Sequence, residues 1–444
     1  MHISVFDLFT VGIGHSVSHT VGPMQAASKF ASRLTSLGLL SRTRSVRAVL
    51  YGPLAAATYG RGTQAATAVG LEGARPMDVD PDELEATIHR IHASRSLKLA
   101  GKQYISFSLD DIVLQPSEML PGHTSGIKFA AFSADRESPI MEEIYNGMGG
   151  AFCSKNGITQ HQAIRARSVP YPFSSCRELL ELCQSHNSSI SDLVLVNERA
   201  SKSWAEIRDG LLEIYQLMNH VISRGIQREG TLPGAPKIQR MANAVFQQLS
   251  TDDCDFDPYF APEWVNLVGL AVNEESAYWS GVVTAPTTGA AGIIPAVLYY
   301  ATTYVPRIAK ASLKEKNNAI VRFFLTAAAL GVLNKEWTSP LEAREGCQRE
   351  VKTAASMAAA GLTELLGGTP QQIVKAAEMA SEESAAGSCN PVCGLVNVPC
   401  IQRNANVANM AINAARMSLR GQDAHRRDSI ETVAHSFAST ISLL

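Results

Sequence analysis

Apolar residues fall into two textures along the chain. In the first third they come in short runs. Residues 46–51, VRAVLY, carry β-branched side chains near alternate positions and predict a strand. Residues 104–109 and 127–132 predict further strands, and 140–145 another, with Glu142 and Glu143 as a solvated interruption. Over residues 81–98 the period lengthens: Leu84, Ile88, Ile91 and His92 recur three or four apart and predict a helix. Residues 146–150, NGMGG, hold three glycines and predict a sharp turn.

Past residue 168 the pattern changes. VPYPFSS, residues 169–175, has two prolines, which force extended backbone and predict a linker. Beyond it, residues 177–185, 203–224, 317–333, 351–366 and 404–419 form long helical stretches rich in Ala and Leu. Gly367, Gly368, Gly387 and Pro391 fall where helices should stop. The expected fold is an α+β N-terminal domain, residues 1–165, followed through a linker at 166–175 by an all-α C-terminal domain, residues 176–444.

Composition narrows the picture. A chain of 444 residues suits two or three domains at roughly 150 residues each. Hydrophobic residues make up 45% and charged ones only 18%, which excludes a disordered chain. The net charge of -2 excludes a general attraction to nucleic acid or a membrane surface. No long uncharged apolar run and no leader pattern is present, so a cytoplasmic location is expected.

Three segments are candidates for chemistry. Cys347, Cys389, Cys393 and Cys400 crowd together late in the chain. The first, second and fourth have a Gly or Pro nearby, which suggests non-helical turns where thiolates and backbone N–H groups face one point. Such groups hold iron–sulfur clusters, although the spacing is unlike the tight runs of ferredoxins or zinc fingers, and buried structural cysteines are the competing reading. Residues 12–24, GIGHSVSHTVGPM, place Ser16, Ser18, His19 and Thr20 before a helical run. A helix start offers unpaired donors to a carboxylate or phosphate, or is simply capped. Residues 284–295, TAPTTGAAGIIP, form a third turn, with Thr287, Thr288 and Gly289 as anion donors or an ordinary connection. They lack the Lys-Ser/Thr ending of a nucleotide P-loop. No Schiff-base lysine accompanies a glycine-rich phosphate loop, which argues against pyridoxal phosphate. The small-residue stretch 356–363, SMAAAGLT, suits close helix packing or helices around an enclosed group.

Together these residues resemble the iron–sulfur, pyridoxal-phosphate-independent bacterial L-serine dehydratases. The likeness runs through FDLF at 6–9, SVSHTVGPM at 16–24, PYPF at 170–173, LAVNEE at 270–275, VTAPT at 283–287, GCQ at 346–348, SMAAAGL at 356–362, VPCI at 398–401 and INAARM at 412–417. The resemblance implies a [4Fe-4S] cluster on Cys347, Cys389 and Cys400 with one iron open to substrate. It implies a homodimer acting on a small amino acid or carboxylate, L-serine being converted to pyruvate and ammonia. His19, Ser16 and Ser18 then become catalytic candidates, and Thr20, Thr287, Thr288, Gly289 and Arg61 substrate-binding ones. Neither nucleic acid nor membrane is an expected partner.

The chain departs from the family at several places. Gly60-Arg61-Gly62-Thr63-Gln64 replaces a GKGHHTD motif, removing two histidines and an aspartate, and residues 287–292 read TTGAAG for TNGACG. Arg61 and Arg349 are candidate carboxylate forks or surface residues, and Cys393 is a fourth ligand or a bystander. Two further readings stay open: a related iron–sulfur lyase for another small carboxylate, and an inactive cluster-binding homologue.

Overall fold

The computed structural model describes residues 3–13, 20–56, 62–75, 81–120, 126–134, 138–148, 151–154, 169–232, 238–251, 257–278, 280–285, 288–336, 346–384 and 398–420. The chain opens with a short helix, α1 (Val5–Leu8), a strand, β1 (Val11–Ile13), and a long helix, α2 (Val21–Ser36). Strand β2 (Ser45–Tyr51) follows, then helices α3 (Gly52–Ala56), α4 (Thr63–Leu71) and α5 (Pro81–Ser94). Six strands complete this half: β3 (Ser96–Leu99), β4 (Gln103–Ser106), β5 (Ile112–Gln115), β6 (Gly126–Phe132), β7 (Pro139–Met148) and β8 (Ala151–Ser154).

Strands β2 to β8 form one sheet in the order β3-β4-β2-β6-β7-β8, with β5 also paired to β2. Alternation explains β2: Val46, Ala48 and Leu50 are buried while Arg47 is exposed. Helix α2 covers β6, β7 and β8, and Phe30 from the helix stacks on Phe129 of β6 at 5.1 Å. All four expected strands form.

Two details differ from the pattern. The helix expected over 81–98 stops at Ser94, because Arg95 turns left-handed (φ 48) and Leu97 and Leu99 enter the sheet core. Glu143 is not solvated but buried. Arg33 of α2 meets its carboxylate at 2.5 Å, and Tyr145 Oη donates to it at 2.6 Å. A partner on another element makes that burial tolerable, and no local pattern reveals it.

The second half is helical, as expected: α6 (Cys176–His186), α7 (Ile190–Arg199), α8 (Trp204–Gln227), α9 (Ala242–Thr251) and α10 (Ala261–Ala277) come first. A short strand, β9 (Gly281–Val283), precedes α11 (Ile293–Tyr304), α12 (Pro306–Ala309), α13 (Leu313–Glu336), α14 (Gly346–Leu366), α15 (Pro370–Glu383) and α16 (Val398–Ser418). No helix among the described residues is long and apolar enough to cross a membrane.

The first eleven described residues pack with this helical half. Ile3, Val5, Leu8 and Phe9 belong to its core, and Phe9 meets Phe324 edge-on at 4.9 Å. Glu198 of α7 accepts from Ser4 Oγ at 2.7 Å and from the Val5 N–H at 2.8 Å. β1 pairs antiparallel with β9, Val11 opposite Val283 and Ile13 opposite Gly281. The chain therefore starts on the helical body and crosses to the sheet body between Ile13 and α2.

Glycines let the helices approach. Gly361 of α14 lies under the Phe323 ring of α13, within the small-residue stretch, whose residues are all buried. Gly269 of α10 faces Ala405 of α16: a Cβ there would stand 2.8 Å from the Ala405 Cα. Gly269→Ala should therefore force the two helices apart and destabilise the protein by about 1–3 kcal/mol. A urea-unfolding midpoint measures this, and an unchanged midpoint would show that the two backbones do not touch there.

Candidate functional site

The segment leaving β9 runs into a single 3-10 turn, Thr288–Ala290, and then into α11. Side chains from three helices close on this turn. Asn404 Nδ2, from α16, donates to the Gly289 carbonyl at 2.5 Å and to Asn273 Oδ1, from α10, at 3.1 Å. Glu350, from α14, lies on the other side, where a Cβ on Gly289 would stand 2.5 Å from its Oε2. A Cβ on Gly292 would meet Asn273 Nδ2 at 2.9 Å. Gly292 therefore needs to be glycine, because the Gly269 carbonyl also stands 2.7 Å from that position, whereas at Gly289 a larger residue would displace the end of the Glu350 side chain.

These contacts fix where the cysteine-bearing segments start. Cys347 is the second residue of α14, three before Glu350; Cys400 is the third of α16, four before Asn404. Residues three and four apart share a helix face. The first turns of α14 and α16 thus open beside the same glycine turn. The expected non-helical turns at Cys347 and Cys400 are replaced by helix starts. Pro399 fits there because the first helical turn needs no backbone donor. Helix starts also favour thiolate over thiol, through the positive end of the dipole.

Several buried polar atoms around the turn lack a partner. Thr288 Oγ1 and Asn273 Nδ2 are closed from solvent and make no hydrogen bond among the described residues. Such an atom costs about 1–3 kcal/mol until an acceptor arrives. The Asn273 amide is already oriented, because Asn404 occupies its oxygen and turns its nitrogen toward Gly292. On the far flank of α16, Arg403 Nη2 donates to the Ser384 carbonyl at 3.0 Å, while Nε and Nη1 are buried without acceptors.

The acids of the LAVNEE motif serve a different purpose. Glu275 is fully buried. It meets Arg224 at 2.6 Å and Arg240 at 2.7 Å, and accepts from Ser280 Oγ at 2.5 Å. Glu274 accepts from the N–H groups of Met241, at 2.7 Å, and Ala242. Together they tie the end of α10 to α8 and to the start of α9. Burial holds the Glu274 carboxyl above its usual range.

Of the expected site residues, Thr288 and Gly289 stand in this turn. Thr20 is the fully buried N-cap of α2 in the sheet body. Ser16, Ser18, His19, Arg61, Thr287, Cys389 and Cys393 lie outside the described residues, as do the side chains of Cys347, Arg349 and Cys400. At the departed motif, Thr63 is buried with Oγ1 unpartnered and Gln64 donates to the Ile112 carbonyl at 3.4 Å. Neither can act as a titrating base. Asn273, Glu350, Arg403 and Asn404 carry no expected role from the sequence. A signal for the last three was present, in their helical spacing from the cysteines.

Comparison with known proteins shows the family. The family model described as serine dehydratase beta chain matches residues 4–157, and that described as serine dehydratase alpha chain matches residues 185–443. The chain belongs to the serine dehydratase family. It is 44% identical over 426 residues to an L-serine dehydratase of Mycobacterium tuberculosis, covering 96% of this chain and 91% of that protein. An L-serine dehydratase of Streptomyces coelicolor is 44% identical over 96% of this chain and 92% of its own length. L-serine dehydratase 1 of Escherichia coli is 41% identical over the same shares. The family resemblance read from the motifs therefore holds, and so does the fold class of serine dehydratases.

The Glu274 environment yields a test. A carboxyl whose folded pKa is raised binds its proton more tightly folded than unfolded, so it loses stability as pH rises above the unfolded value of about 4.3. Relative to Glu274→Gln, the wild type should lose unfolding free energy from pH 4 upward, followed by urea titration at each pH. Wild-type stability that stays level or rises relative to Glu274→Gln over that range would contradict the assignment.

Proposed function

We propose that this chain is an iron–sulfur L-serine dehydratase, a lyase that eliminates water from L-serine. One observation carries the reading. Glu350 and Asn404 bring the first turns of the Cys347 and Cys400 helices to the same Gly289 turn, in a chain of this family. That convergence, the thiol donor set and the cradle at Gly289 fit a [4Fe-4S] cluster held by Cys347, Cys389 and Cys400. A cluster with one iron free of thiolate supplies a Lewis acid for the β-hydroxyl, a poor leaving group in water.

The chain's own groups do the rest. His19 takes the α-proton, the group best suited to that task near neutral pH. Ser16, Ser18, Thr20, Thr287, Thr288 and Gly289 supply hydrogen-bond donors to the substrate. Arg61 is a further substrate-binding group. Donors fixed before the substrate arrives stabilise the charge that grows on it as the α-proton departs. Loss of the α-proton and the hydroxyl leaves an enamine. Water then adds to it, and ammonia and pyruvate separate. The reading includes a homodimer in the cytoplasm.

A second reading has one specific support. Thr63 and Gln64 stand in place of the family's histidines, and neither titrates, which favours a different small hydroxy-carboxylate on the same cluster.

Anaerobic reconstitution tests both. Iron and sulfide should reach about four each per chain, and pyruvate should form from L-serine. Cys347→Ser, Cys389→Ser and Cys400→Ser should each lose the visible absorption of the cluster. Iron uptake without pyruvate would support the second reading. No iron uptake would end both.

A further inference from the structure

Arg403 is the charged group that the proposed chemistry leaves unused. It lies three residues after Cys400 on α16, one helical turn deeper, on the flank opposite Asn404. Its Nη2 is held by the carbonyl of Ser384, the C-cap of α15 and the last described residue before the segment that carries Cys389. The guanidinium therefore bridges the start of α16 and the end of α15. Among the described residues, its Nε and Nη1, closed from solvent, have no acceptor, and no carboxylate pairs with it. A guanidinium with buried, unanswered donors is costly, and a planar anion is the chemistry that offsets it.

We propose that Arg403 binds the α-carboxylate of the substrate. The proposal rests on the functional reading above and deepens it by naming an anchor for the substrate's anionic end. The Ser384 carbonyl holds one nitrogen in place, so the remaining donors are oriented before the ligand arrives. Arg403 stands three residues after Cys400 on the same helix, so its anchor belongs to the α16 end of the proposed site. The start of α16 adds the positive end of its dipole on the same side.

The test uses two probes that cannot undergo elimination: L-alanine, which keeps the carboxylate, and L-alaninamide, which replaces it with a neutral amide. Binding is measured by calorimetry on the cluster-loaded protein. The wild type should prefer L-alanine by about tenfold or more, the worth of a charge-assisted hydrogen bond. Arg403→Gln should erase that preference by weakening L-alanine alone, with visible absorption and melting temperature unchanged. Arg403→Lys keeps the charge but not the fork, and should retain part of it. In turnover, KM for L-serine should rise with kcat less affected.

A preference that survives in Arg403→Gln would overturn the proposal, as would equal weakening of both probes. Loss of the cluster spectrum in both variants would also overturn it, assigning Arg403 to the cluster instead. The L-alanine measurement needs no turnover. A wild type that binds L-alanine preferentially but makes no pyruvate would therefore sink the functional reading and leave the anchor standing.

Discussion

The site depends on one hydrogen-bond junction, where the Asn404 amide donates both to the Gly289 carbonyl and to Asn273. It exists only because α10 and α16 cross with their backbones nearly touching at Gly269 and Ala405. A larger residue at that crossing would pull Asn404 away from the turn. Glu350 closes the same turn from α14, its carboxylate lying over Gly289. Tight helix packing is thus the means by which distant segments are brought to one point, and the Ala- and Gly-rich composition of these helices follows from it.

A second layer of charge supports that crossing. Glu275 and Glu274 sit at the buried end of α10, where Arg224, Arg240 and the backbone of the α9 start satisfy them. Breaking such a group by removing one partner leaves an uncompensated buried charge, which costs more than a surface ion pair. These acids fix the helix that presents Asn273. They support the site from behind.

Much of the fold could be read from local pattern. Alternation found β2, short apolar runs found the other expected strands, and long Ala- and Leu-rich stretches found the helices of the second half. What escaped was set by partners far away in sequence. Glu143 looked solvated until Arg33 and Tyr145 closed on it. Ile3 to Phe9 gave no local sign of belonging to the helical core. Gly346 and Pro399 were read as breakers, but beside a helix start the same residues mark a beginning. For the site, the sequence offered residue types and family likeness. The Asn404 junction needed the third dimension, because its partners lie 115 and 131 residues away.

The central claim is that Cys347, Cys389 and Cys400 share one metal group beside this junction. Alkylation of the folded protein, read by mass spectrometry at each cysteine, tests it most directly. After anaerobic loading with iron and sulfide, all three should resist a thiol reagent that modifies them in the unloaded chain. If any one of the three is modified equally in both states, that cysteine does not hold the group and the account of the site is wrong.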